Sequence, residues 1–307
     1  MFKKTLIAST MALSIGLCGS VQAFDVHTDF GNITGVGGFD WLPNSALSVD
    51  SLNLSTDVNN PTQFTIYSQG ALSSFTDTGG GGIAADNGLN SNYEVTFETG
   101  FGEIGVQFGP NANFGFDVTG PVNYFNMYYD TNVNSNALAG TGYNDGDLIL
   151  SGAIVSGVGS FALAIFDPNP IQIFDQFGSD DWGGQLTAVG NGSNDVDVDV
   201  QAQNQDFNFF IGDVTSYIID MVFGSNATTP FALTDPSFLV AGLSANFGAD
   251  GINGTCPDIP ETPDVERCDF QFQTDAASTL RAIPEPSTLA LLGLGLIGAG
   301  FARRRKA

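Results

Sequence analysis

The chain has 307 residues, 33 of them acidic against 8 basic, with one histidine and three cysteines. A formal charge of -25 repels nucleic acid and anionic lipid and favours solubility. So few imidazoles and thiols leave zinc and redox-metal catalysis without ligands, and Ser–His–Asp or Cys–His schemes with no imidazole except His27.

At the N-terminus, Lys3 and Lys4 precede an apolar run, Leu6 to Leu17, and Val21-Gln22-Ala23 fits small-x-small cleavage before Phe24. Leu17 stands where a lipobox needs a small residue, so Cys18 belongs to the removed peptide. Residues 1–23 are thus expected to be a signal peptide, handled by Sec export machinery and signal peptidase. The body, residues 24–280, is long enough for one large β-domain or two packed together. Between Phe24 and Ile283 only Arg267 and Arg281 remain of the basic residues, and Glu285 is the one acid outside that span.

The body reads as short strands between Gly, Asn and Pro turns. Phe64 and Ile66 alternate with Thr65 and Tyr67 within Gln63–Ser68. Tyr93, Val95 and Phe97 alternate likewise, as do Ile104, Val106 and Phe108 beyond Gly100–Gly102, which predicts a hairpin turning at those glycines. Gly79–Gly82 predicts a surface loop, and Asn144-Asp145-Gly146-Asp147 a hairpin turn or bulge. Further strands are expected at Phe114–Val118, Tyr124–Tyr129, Leu148–Val155, Phe161–Phe166, Val196–Val200 and Phe207–Ile211. Pro168-Asn169-Pro170 marks a loop or edge. Ser216–Phe223 is ambiguous between strand and helix, and Phe270–Gln273 reads as a closing strand. The expected fold is an all-β antiparallel sandwich, jelly-roll-like, flanked by the signal peptide and a short apolar helix near the C-terminus.

Carboxylates are the catalytic groups left in number, and a glycosidase needs two facing each other across a cleft. Asp180-Asp181-Trp182 is the most suggestive arrangement; a turn leading into a buried Trp explains it as well. Asp195, Asp197 and Asp199 alternate with three valines, which places three like charges on one strand face. Water or a cation must relieve them, so calcium is a candidate ligand on that face. Asn144, Asp145 and Asp147 form a second candidate calcium site, though neither run fits an EF-hand loop. No other cofactor is expected. Cys256 and Cys268 bracket a Pro-rich acidic loop and, in an exported chain, are expected to form a disulfide.

The last residues have a fixed order: Pro284-Glu285-Pro286, an uncharged run Leu289–Ala302, then Arg303, Arg304, Arg305 and Lys306. The prolines forbid helix at the entry, the run enters hydrocarbon, and the cations stay cytoplasmic. About 14 residues at roughly 1.5 Å each reach about 21 Å, short of the roughly 30 Å apolar core of a bilayer, so the membrane contact reads as transient. Residues 281–307 resemble the PEP-CTERM sorting signal of Gram-negative bacteria. That resemblance implies an exosortase as processing partner, recognition at the Pro-Glu-Pro, transient lodging in the inner membrane, and a final place at the cell surface or in the extracellular matrix.

The body is similar to PEP-CTERM proteins associated with floc formation. The similarity lies in Phe39–Leu47, Ala139–Leu150, Trp182–Gln185 and Asp269–Gln273. It implies a non-enzymatic role in retaining cells within an exopolysaccharide matrix. A carboxylate-based glycan-active enzyme, or a carbohydrate-binding module of the matrix, is the alternative.

Overall fold

A computed structural model describes residues 21–49, 51, 54–83, 88–137, 139–167, 187–226 and 270–283. Their regular structure is entirely β: β1 (Phe24–Thr28), β2 (Gly31–Val36), β3 (Gly38–Trp41), β4 (Asn44–Val49), β5 (Thr62–Thr76), β6 (Glu94–Phe108), β7 (Asn111–Phe116), β8 (Asn123–Asp130), β9 (Asp147–Asp167), β10 (Thr187–Gln203), β11 (Phe210–Ile211), β12 (Tyr217–Asn226) and β13 (Phe270–Ala282). Ten strands form one antiparallel sheet, and β11, β1 and β2 form a second.

The large sheet closes on itself, so the two layers of the sandwich are joined along both sides. From β5 the pairing runs to β6, then to β7 and β8, which share the next position, and on through β9, β10, β12 and β13. From β13 it returns through β4 and β3, again sharing one position, to β5. The register is staggered. Partners followed from Phe272 through Ala46, Ser68, Thr99, Phe125 and Gly152 lead to Val200, next to the Asp199–Ile218 pair, and Ile218 faces Arg281 rather than Phe272. Such a stagger tilts the strands and lets side chains fill the interior. Strand order follows the chain more closely than a jelly roll does, and β13 is the long-range step that closes the circuit.

The Gly100–Gly102 hairpin does not form; β6 runs straight through it as one strand of 15 residues. Both glycines lie against neighbours instead of turning the chain. A β-carbon on Gly100 would stand 2.8 Å from the Tyr124 ring and 2.9 Å from that of Tyr67, and one on Gly102 would stand 3.0 Å from Gly120 Cα. The turn falls later, between β6 and β7, where Gly109 takes a φ of 62°. For a similar reason the two strands expected between Leu148 and Phe166 are one, β9, whose Gly157 and Gly159 face Val196 and Asn194 on β10. The Asn144–Asp147 stretch ends a loop packed on the sheet, and the positive φ values fall earlier, at Gly140 and Gly142. Ser216–Phe223 resolves as strand, with Ile219, Met221 and Phe223 buried in alternation.

The core holds Phe39, Trp41, Phe75, Phe97, Phe125 and the inward residues of β10 and β12. Trp41 meets Phe97 edge-on at 4.7 Å and donates its Nε1–H to Ser278 Oγ at 3.1 Å. Val196, Val198 and Val200 are buried while the alternating aspartates face out. Each valine contributes about 1.5–3 kcal/mol of burial, which fixes the register of the strand. The small sheet adds Val26, Ile33 and Phe210 to the same core, joined by Phe209 just before β11.

Candidate functional site

The outward positions of β6 run Glu94, Thr96, Glu98, Gly100, Gly102. Its two ends are covered. Loop residues Asn134 and Ser135 donate their backbone N–H groups to Glu94, and Thr96 Oγ1 donates to Tyr143 O. At the far end the turn through Asp117 and Gly120 lies on Gly102. Glu98 and Gly100 remain between the covers, about 7 Å apart along the strand.

That gap is lined by tyrosines. Register places Tyr67 and Tyr124 on either side of Gly100, and the missing side chain lets both rings close over the strand. Both rings are half-buried. Tyr128 donates its hydroxyl to Glu98 Oε1 at 2.7 Å, Asn126 Nδ2 reaches the same oxygen at 3.4 Å, and exposed Asn144 donates to Oε2 at 3.1 Å. Burial, and then the Glu98 carboxylate, hold the Tyr124 hydroxyl far above its ordinary range; burial and the bond to Glu98 do the same for Tyr128. Both hydroxyls therefore stay protonated donors at any physiological pH. A shallow groove with two aromatic faces, a carboxylate and two side-chain amides suits a sugar ring: C–H groups lie on the aromatic faces and hydroxyls reach the polar edge.

Inside the barrel stands a second carboxyl, Glu103, 1% exposed. Its strand partners are Phe64 and Phe116, and Asn194 on β10 reaches across to donate Nδ2–H to Oε1 at 2.5 Å. Burial pushes its pKa up to about 8, the Asn194 bond pulling weakly the other way, so it is a neutral acid at pH 7. Asn194 Oδ1, Ser48 Oγ, Ser68 Oγ and Thr274 Oγ1 are also buried, without a partner among the described residues. The remaining buried carboxylates among the described residues are braces. Glu94 takes three donors from Asn134 and Ser135, and Asp117 takes Thr119 and Gln63.

Asp195, Asp197 and Asp199 share the outer face of β10, as the alternation predicts. A cation already serves them: Arg281 on β13 pairs with Asp197 at 2.6 Å, and Ser156 donates to the other oxygen at 2.7 Å. Asp220, directly opposite Asp197, is raised by burial and then by the Asp197 charge, with Arg281 opposing. Asn144 is committed to Glu98, and Asp145 accepts from Asn134 Nδ2 at 2.9 Å. Among the described residues no three His, Cys, Asp or Glu side chains converge as a metal shell. His27 is exposed on β1, with Nδ1 2.8 Å from Asn32 Oδ1 across the hairpin to β2. Asp180-Asp181-Trp182, Pro168–Pro170, Cys256, Cys268, Pro284–Pro286, Leu289–Ala302 and Arg303–Lys306 lie outside the described residues.

The sequence sets Tyr67 on the strand face opposite Phe64 and Ile66 and gives no sign of the groove. Alternation gives the face of Tyr67, Glu98, Tyr124 and Tyr128, whereas their adjacency comes from the β5–β6–β8 register.

Residues 282–306 are matched by the family model of the PEP-CTERM protein-sorting motif. The chain carries a PEP-CTERM sorting tail. That motif implies export, processing by an exosortase and sorting to the cell surface. No curated protein and no solved structure matches the chain. Three of the four body stretches singled out in the sequence meet around β4: Asn44 Nδ2 bonds Tyr143 Oη, and Gln273, Phe272 and Gln271 pair with Ser45, Ala46 and Leu47. Trp182–Gln185 lies outside the described residues.

Proposed function

We propose that this protein is an exported surface and matrix protein that holds exopolysaccharide in the Tyr67–Tyr124–Glu98 groove, and thereby contributes to floc or biofilm formation. The observation that carries the reading is the groove itself: two half-buried aromatic rings beside a hydrogen-bonded, half-buried carboxylate, between two loops. The sorting tail supports it by directing the barrel to the surface, and the likeness to floc-associated proteins points to the same matrix. The ligand is a neutral glycan, because Glu98 and the acidic body around it repel anionic polymers. Binding without cleavage is expected, since Glu94, the next carboxylate on that face, is enclosed by Asn134 and Ser135 and accepts both their backbone N–H groups and the Ser135 hydroxyl.

The test is retention on polysaccharide isolated from the host matrix, for the wild type and for Tyr67→Ala and Tyr124→Ala. Each loses stacking on one ring, and retention is expected to fall at least about tenfold, the equivalent of about 1.4 kcal/mol. Undiminished retention by both variants overturns the groove. Release of new reducing ends by the wild type would make it an enzyme instead.

A further inference from the structure

The ten strands of the large sheet occupy eight positions around the barrel, since β3 and β4 share one and β7 and β8 another. A barrel of eight positions either fills with side chains or keeps room for one small ligand. This one is aromatic towards both ends and polar between. Towards the small sheet, Phe97 meets Phe223 at 6.4 Å across the interior. Towards the other end, Phe64 meets Phe114 at 5.5 Å and Phe161 meets Phe272 at 6.5 Å. Between these aromatic contacts β4 turns Ala46 and Ser48 inward, β5 sets Ser68 opposite Ala46, and β13 adds Thr274 two residues after Phe272. From the far wall come Glu103 and Asn194, whose hydrogen bond crosses the interior. The stagger of the strands carries these positions, offset along the chain, to one level of the barrel.

Ser48, Ser68 and Thr274 are 3%, 1% and 4% exposed, and their hydroxyls and Asn194 Oδ1 have no partner among the described residues. Packing alone does not explain them, because a buried hydroxyl without a partner is costly and Ala or Val of similar shape is not. The donor set selects the ligand. Three hydroxyls give and accept hydrogen bonds, the Asn194 oxygen accepts, and the neutral Glu103 acid donates. No fixed charge stands among them, which suits an uncharged molecule carrying several hydroxyls. Phe101, buried two residues before Glu103, and Phe116, its strand partner, offer rings to C–H faces. We propose that this interior layer is a second binding site, which holds one neutral sugar of hexose size. It lies on the inner faces of β5 and β6, whereas Tyr67, Glu98 and Gly100 lie on their outer faces, so it does not depend on the groove. The way in is between Phe161 and Phe272, each 9% exposed, at the end away from the small sheet. Occupancy ties β4, β5, β10 and β13 together and stabilises the folded barrel.

The experiment is thermal unfolding of the protein recovered from its host, titrated with glucose, galactose and mannose. The forms compared are the wild type, Thr274→Val, Ser68→Leu and Tyr124→Ala. At least one sugar is expected to raise the wild-type Tm by about 3–5 °C at ten times its Kd. Thr274→Val keeps the shape, removes one hydroxyl and is expected to weaken binding about tenfold. Ser68→Leu projects into the layer and is expected to abolish the shift. Tyr124→Ala changes the outer face alone and is expected to keep the shift whole. Should Ser68→Leu fail to fold, Thr274→Val carries the test. No shift with any of the three sugars leaves the layer to buried water and overturns the proposal. A shift kept by Thr274→Val and lost in Tyr124→Ala overturns it too, and assigns the sugar to the outer groove.

Discussion

Replacing Glu103 with Gln tests the interior most directly. The acid is 1% exposed between Phe64 and Phe116, with Asn194 as its hydrogen-bond donor. Burial raises its pKa from 4.5 to about 8 in the folded chain. Between those two values the folded state keeps a proton that the unfolded state has released. Stability from this group is therefore fully present below about pH 4.5, falls by about 1.4 kcal/mol per pH unit, and is lost above about pH 8. The total is about 5 kcal/mol, a large share of the roughly 5–15 kcal/mol that holds a domain together. Gln keeps the size and cannot ionise. Urea unfolding of both proteins across pH isolates the group, because every other carboxylate is common to the two. The curves are expected to agree near pH 5 and to separate steadily, with the Gln variant several kcal/mol more stable by about pH 8. A difference that stays flat with pH would refute the argument, since it would mean that Glu103 is equally ionised in both states.

Other perturbations bear on the outer faces. Gly100→Ala drives a methyl into Tyr67 and Tyr124 and is expected to cost about 1–3 kcal/mol in thermal unfolding; full tolerance would contradict the close approach at this position. Arg281→Met removes the cation that pairs with Asp197 on the aspartate face. It is expected to cost about 1 kcal/mol at low salt and less at high salt, and a loss unchanged by salt would point to packing instead. Chelation with EDTA is expected to leave the melting temperature unchanged, because Asp197 already has Arg281 and Ser156; a lower melting temperature would place a divalent cation on the protein. Cys256 and Cys268 are expected to resist alkylation until reduced, and thiols that label at once would remove the disulfide from the account.

Much of this protein is local information. The sorting tail is a linear signal of two prolines, an apolar run and a basic cluster, and it needs no fold to be read. Strand faces are local as well: a period of two put Val196, Val198 and Val200 inside and the aspartates outside, and it marked Phe270–Gln273 as a strand. Glycine was the point at which local reading failed. Gly100 and Gly102 look like a turn from their own chemistry, and only the Tyr67 and Tyr124 rings packed on one and Gly120 on the other give them their real use. The same limit hid the groove, the Arg281–Asp197 pair and the Glu103–Asn194 bond, whose partners lie 84 and 91 residues apart for the last two. Alternation decides which way a side chain points. What it meets there depends on the register between strands, and the closure of β13 onto β3 and β4 sets that register for the whole barrel.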